Sequence, residues 1–295
     1  MPDAERIKEL RDLAFDTCQK AIMAAVDVCC PRLRITTRSE LGKSIKTALR
    51  ELRTDLFVPK NREISGLTLG EVYEAFELKH SEMPLVIASL RAYRTDYRDD
   101  IPKSIWEENE EFNETFGPVL AKNEAVSRSW FDILYRKALH AANQEGIHGQ
   151  RPLPDSMDVL MALGGRITSL SGRADYTVWY EETTDQMSTN LACIEMKKRG
   201  DAKKAIPQCL GYMGVVHRRR VNLKKSNTDV YGIATDGRVF YFLGIEKGYV
   251  RISEPLTWDM HNPAEAGVIW RGLRAIVRQA TALSPLNSRN PTDET

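Results

Sequence analysis

After Gln144 the spacing of apolar residues changes from a period near 3.6 to a period near 2, and that switch limits the architecture more than any other feature of the chain. Upstream the pattern is helical. Asp3–Cys30 carries Ile7, Leu10, Leu13, Ala14, Cys18, Ala21, Ile22 and Ala25 on one stripe. Ser39 is placed to cap a second helix to about Leu56, with Leu41, Ile45, Leu49 and Leu52 aligned. Thr68–Lys79 and Pro84–Tyr97 read as helices, Pro102 and the acidic run after it as a linker, and Val119–Gln144 as a long helix behind Gly117-Pro118. Downstream, strands are expected at Met157–Leu163, Gly172–Tyr180 and Leu191–Lys197, and a helix at Asp201–Arg219. A hairpin of Asp229–Thr235 and Arg238–Ile245 turns at Asp236-Gly237, Tyr249–Ser253 adds an edge strand, and Pro263–Ala282 closes with a helix. The order helix, three strands, helix, strand predicts an α/β sandwich with a mixed sheet.

Several function classes are disfavoured. No apolar run approaches the ~20 residues of a membrane span, and the charged start Met1-Pro2-Asp3-Ala4-Glu5-Arg6 lacks a signal-peptide core. An intracellular setting, nucleus or cytoplasm, is therefore expected. The five cysteines are scattered without a Cys-x-x-Cys pair, which argues against a disulfide framework or a zinc ribbon. Cys193 and Cys209 are expected to pack. The histidines form no His-Glu-x-x-His, so a zinc hydrolase is disfavoured.

One group of residues points to a specific chemistry. Asp175 and Glu195 are twenty residues apart, enough for a strand, the polar turn Glu181–Asn190 and a return strand. Glu195 and Lys197 are two apart and share a strand face, where Asp175 joins them if the strands pair. Two carboxylates and an ammonium on one spot suit a hard divalent cation beside a phosphate. The alternative is a strand rim with exposed charges. The net charge of +1 predicts no nucleic-acid affinity by itself, but ten basic residues against two acidic ones lie between Glu195 and Lys225. An acidic run (Glu107, Glu108, Glu110, Glu111, Glu114) offsets them elsewhere.

Gly172-Arg173-Ala174-Asp175-Tyr176, Ile194-Glu195-Met196-Lys197-Lys198 and a following helix with Gln208 and Tyr212 resemble the PD-(D/E)XK nuclease superfamily, over about Val119–Asp259. The likeness is closest to nuclease-like domains common in fungal proteins, which end in a late apolar-aromatic hairpin similar to Phe240-Tyr241-Phe242. Ala174 stands where the family often has proline before the aspartate. The resemblance implies a restriction-endonuclease-like αβββαβ core with a mixed central sheet over residues 118–283, an all-helical region over 1–117 and a flexible tail over 284–295. It further implies that Asp175, Glu195 and the Met196 carbonyl ligate Mg²⁺ or Mn²⁺, with Lys197 positioning water and stabilising phosphorane charge.

Glu124 sits on the leading helix, where the superfamily often carries a supporting acidic residue, with Asn123 beside it as a cap; an ordinary surface glutamate is the other reading. Gln208 and Tyr212 share a helix face and resemble the Gln-x-x-x-Tyr of nucleases related to bacterial recombination exonucleases, Gln208 orienting water or phosphate and Tyr212 touching the nucleic acid. The competing reading is a buried amide with a core aromatic. Lys198, Arg199, Lys203, Lys204, Arg218, Arg219 and Arg220 are candidates for phosphate contacts, against helix capping for the arginine run. Trp179, Tyr180, Phe240 and Phe242 are expected in the core. The expectation is thus a Mg²⁺- or Mn²⁺-dependent nuclease, preferring DNA to RNA, with no membrane partner and with N-terminal helices available for a protein partner or a homodimer. A catalytically silent binding module and a ribonuclease of the same fold are the alternatives.

Overall fold

A computed structural model of the chain describes residues 20, 43–44, 47, 60–89, 101–120, 123–144, 155–163, 166–178, 192–225 and 227–282. In chain order its elements are β1 (Lys60–Glu63), α1 (Leu69–Ala75), β2 (Lys79–His80), α2 (Lys103–Leu120), α3 (Glu124–Gln144), β3 (Asp155–Leu163), β4 (Arg166–Ala174), β5 (Tyr176–Val178) and β6 (Ala192–Met196). They continue as α4 (Ala205–Asn222), β7 (Val230–Thr235), β8 (Val239–Glu246), β9 (Tyr249–Ile252), β10 (Leu256–Thr257) and α5 (Pro263–Ala282). The helices expected at 3–30 and 39–56, the tail at 284–295, and Trp179 and Tyr180 lie outside the described residues. Among the described residues no helix is long and apolar enough to cross a membrane.

The chain divides into two compact units. One comprises residues 1–62 and 159–170, and its described strands belong to a three-stranded sheet ordered β1-β4-β3. The other comprises residues 63–158 and 171–295. It is built on a mixed sheet ordered β2-β9-β8-β7-β6-β5, with β10 beside β8. β6 runs parallel to β7 and antiparallel to β5.

Alternation along β6 explains the layering. Ile194 and Met196 join a core with Phe131 and Leu134 of α3, Phe240 and Phe242 of β8, and Ile269, Trp270 and Leu273 of α5. On the other face, Cys209 of α4 reaches the Cys193 and Ile233 carbonyls at 3.3 and 3.6 Å. α4 is buried along most of its length, because the strand layer lies on one side and α1 with its preceding turn on the other. Close approach there depends on glycine: a methyl at Gly211 would stand 2.5 Å from Ile64, and one at Gly214 would stand 2.5 Å from the Phe76 ring. Cys193 and Cys209 pack as buried thiols, and Phe240 and Phe242 are fully buried, as read from sequence.

Several elements differ from expectation. The stretch after Pro102 is not a linker but the helix α2, whose Ile105, Asn109 and Phe112 are buried. Glu107, Glu110, Glu111 and Glu114 are exposed, half-buried Glu108 pairs with Lys137 of α3 at 2.7 Å, and Gly117 and Pro118 fall inside the helix. The long helix therefore starts at Glu124, with the Asn123 side-chain oxygen accepting from the Ala125 amide at 2.9 Å as a cap. β1 and β2 interrupt the region expected to be all-helical over 1–117. Pro84–Tyr97 is represented by one 3-10 turn at Ile87–Ser89, the rest lying outside the described residues. β9 is not the edge strand: β2 pairs with it in parallel. The helix expected from Asp201 begins at Ala205, which puts Pro207 in its first turn, where an amide has no intrahelical partner.

Candidate functional site

The sequence Gly172-Arg173-Ala174-Asp175-Tyr176 makes two strands with a break, and the break is at the aspartate. β4 ends at Ala174, β5 begins at Tyr176, and Tyr176 pairs with Ile194 across the antiparallel ladder. One step back, Asp175 stands next to Glu195, on the same face of the sheet. Because the ladder stops there, the Met196 amide finds another acceptor, Asp175 Oδ2 at 2.9 Å. The aspartate thus completes β6 with its side chain.

Lys197 follows on the same face of the chain as Glu195. Its ammonium donates to Glu195 Oε1 at 2.9 Å and to Gln208 Oε1 at 2.8 Å. Gln208 passes the polar chain on, its Nε2 donating to the Tyr212 hydroxyl at 3.2 Å, which donates to the Arg173 carbonyl at 2.9 Å. That last contact needs Gly172, since a methyl there would stand 2.9 Å from the Tyr212 hydroxyl. Tyr212 is 1% exposed. It is a core side chain that orients Gln208, not a surface that touches a base.

Burial dominates the electrostatics. Glu195 is 1% exposed, and its carboxyl is pushed up to about 8 by desolvation first and by Asp175 second, with Lys197 and Arg128 opposing. Burial also raises Asp175, against the lowering effects of the Met196 amide, Arg128 and Lys197. Two neighbouring carboxyls that both resist ionisation gain most from a cation that neutralises them together. Glu195 Oε2 is buried with no hydrogen-bond partner, a free acceptor in a place where free acceptors are costly. This donor set fits Mg²⁺ or Mn²⁺ held by Asp175, Glu195 and the Met196 carbonyl. Among the described residues no group of three or more His, Cys, Asp or Glu side chains gathers.

The residue absent from the sequence reading is Arg128. Its Nη2 lies 2.7 Å from Asp175 Oδ1 and 2.6 Å from Glu124 Oε1. Glu124 reaches the site through this guanidinium, and its charge also raises the Asp175 carboxyl. The signal was present: Glu124 and Arg128 are four apart on α3, the spacing of a helical ion pair.

The basic residues separate into two groups. Lys203 and Lys204 are exposed at the start of α4, with Lys204 and Lys198 reaching Asp201 at 2.8 and 3.8 Å. The run Arg218–Arg220 lies at the other end of the helix. Arg218 pairs with Glu77 at 3.0 Å, while Arg220 is 6% exposed and its Nε donates to the Asn227 carbonyl at 2.8 Å. Arg220 ties down a loop and is not presented to a phosphate. Compared with known protein families and with curated proteins, the chain matches none.

Proposed function

We propose that the chain is a metal-dependent nuclease that hydrolyses phosphodiester bonds of nucleic acid, DNA before RNA, on a PD-(D/E)XK-type site in a restriction-endonuclease-like core. The succession α3, β3, β4 with β5, β6, α4 and β7 repeats the expected αβββαβ order along the chain, whereas β3 and β4 pair with β1 in the three-stranded sheet. The observation that carries the reading is the meeting of Asp175, Glu195 and Lys197 around the unpartnered Glu195 Oε2. Mg²⁺ or Mn²⁺ held by Asp175, Glu195 and the Met196 carbonyl would polarise the scissile phosphate and lower the pKa of bound water. Lys197, oriented by Gln208, is positioned to stabilise negative charge on the phosphorus oxygens. Gln208 in turn is held by Tyr212, so the polar chain keeps the ammonium from swinging away.

Arg128 favours a second reading. A guanidinium on Asp175 already supplies positive charge there, as expected of a silent module that keeps the fold and binds without cutting. A labelled DNA duplex with Mn²⁺ or Mg²⁺ separates the two. Metal-dependent cleavage by the wild type, lost in Asp175→Ala and Glu195→Ala, is the expected result. Cleavage that survives both substitutions ends the proposal. A chain that neither cuts nor binds Mn²⁺ by calorimetry, but binds it as Arg128→Ala, is the silent module.

A further inference from the structure

A cavity of about 250 Å³ opens beside the carboxylate site, and none of the roles above uses it. It is walled by Arg199 from the turn after β6, Arg238 from the β7–β8 turn, Ser127 and Trp130 of α3, and Trp258 and His261 ahead of α5. The Lys197 amide donates to the Thr235 carbonyl at 2.9 Å, so Arg199 and Arg238 both follow within three residues of that joint. Ser127 is next in sequence to Arg128, and one turn of α3 therefore serves both places.

Burial first and the Arg238 guanidinium second lower the Arg199 pKa, with Asp236 opposing. Among the described residues neither forms an ion pair with a carboxylate. Asp236 is close, but its oxygens are taken by backbone amides, Oδ2 by Gly200 at 2.6 Å and Oδ1 by Arg238 and Val239 at 2.9 and 2.7 Å. Asp259 likewise accepts from the His261 amide at 2.9 Å. The cavity thus sets two guanidiniums without an ion pair beside Asp236, whose two oxygens are already engaged by backbone amides. Two further groups are left over: Trp258 Nε1 and Ser127 Oγ are buried without partners. Arginine forks match phosphate, and indole rings give a base or sugar a flat wall.

We infer that this cavity binds one nucleotide unit, its phosphate on Arg199 and Arg238 and its base against the Trp130 and Trp258 rings. The volume lies below the ~300–1,000 Å³ of full small-molecule sites, which suits one such unit. That the unit belongs to a nucleic-acid strand rests on the nuclease reading; the phosphate and ring chemistry does not.

Calorimetric titration of the full chain in EDTA tests it with thymidine 5′-monophosphate, thymidine and inorganic phosphate. The monophosphate binds, phosphate binds more weakly, and thymidine does not register. Arg199→Ala and Arg238→Ala each weaken the monophosphate by roughly tenfold to a hundredfold, Arg238→Lys by less, and Asp175→Ala leaves it unchanged. Thermal melts of the same samples show which variants are folded, and the exposed Arg238 carries the test if Arg199 variants are not. Equal binding of thymidine, or full binding by folded Arg238→Ala, overturns the inference. Binding that needs the arginines in a chain that never cuts DNA keeps the inference and removes the nuclease reading; cleavage without such binding does the reverse. A single-stranded oligonucleotide that displaces the monophosphate supports a strand as the source, and failure to displace it overturns that assignment.

Discussion

The two ends of α4 carry similar numbers of basic side chains and do different work. At its start, Gln208 and the neighbouring Lys197 are locked into a buried polar chain against Glu195, and exposed Lys203 and Lys204 surround it. At its finish, Arg218 answers an exposed glutamate and Arg220 holds the Asn227 carbonyl. Gln208 and Arg218 are ten residues apart, about 15 Å along the axis. Counting charge along the sequence merges what the helix separates. Proximity to the carboxylates belongs to the first group only, and loop anchoring to the second.

The sharpest way to break this contrast is to remove charge from both ends and compare. Lys197→Ala should lower metal-dependent cleavage by roughly 10²–10³ while Mn²⁺ binding persists, read by single-turnover cleavage beside calorimetry. Arg220→Ala should leave turnover alone and lower stability by about 1–3 kcal/mol, since it orphans a carbonyl that a buried guanidinium now satisfies. Denaturant melts check that value.

The pH dependence sharpens the picture of the first end. Glu195 ionises near 8 when folded and near 4.5 as a free side chain, so the folded chain holds a proton that the unfolded chain has released. The associated stability is fully present below about 4.5 and declines as the pH rises toward 8. Melting temperatures of wild type should therefore fall across that window and those of Glu195→Gln should fall less. Mn²⁺ should flatten the wild-type decline by favouring the ionised carboxylate.

Smaller effects distinguish the exposed cations. Lys203→Ala with Lys204→Ala should reduce the salt dependence of DNA binding, by a slope change of about 2 relative to wild type. Arg218→Ala should change stability by less than about 1 kcal/mol, because its partner Glu77 is well exposed. A larger loss of DNA affinity for Arg218→Ala than for the lysine pair would reverse the assignment of the two ends.

Much of the second half of the chain was legible because its strands are short, alternating and bounded by turns. β6, β7 and β8 lie within a residue of their expected limits, and α5 matches its limits. The meeting of Asp175, Glu195 and Lys197 followed from strand parity alone. α2 was hidden because five glutamates outweighed a sparse apolar stripe of Ile105, Phe112 and Phe116. β2, with two residues, is too short to have a period. The cavity joins residues from 109 to 261, and no local pattern announces such a gathering.

The bend at Asp175 has a consequence for observation. The Met196 amide is tethered to a carboxylate instead of a neighbouring strand, so its hydrogen is guarded by a group whose charge can change. Its deuterium uptake should therefore act as a gauge set inside the sheet, slowing or quickening as that oxygen is claimed by a proton, by an incoming cation or by the peptide itself.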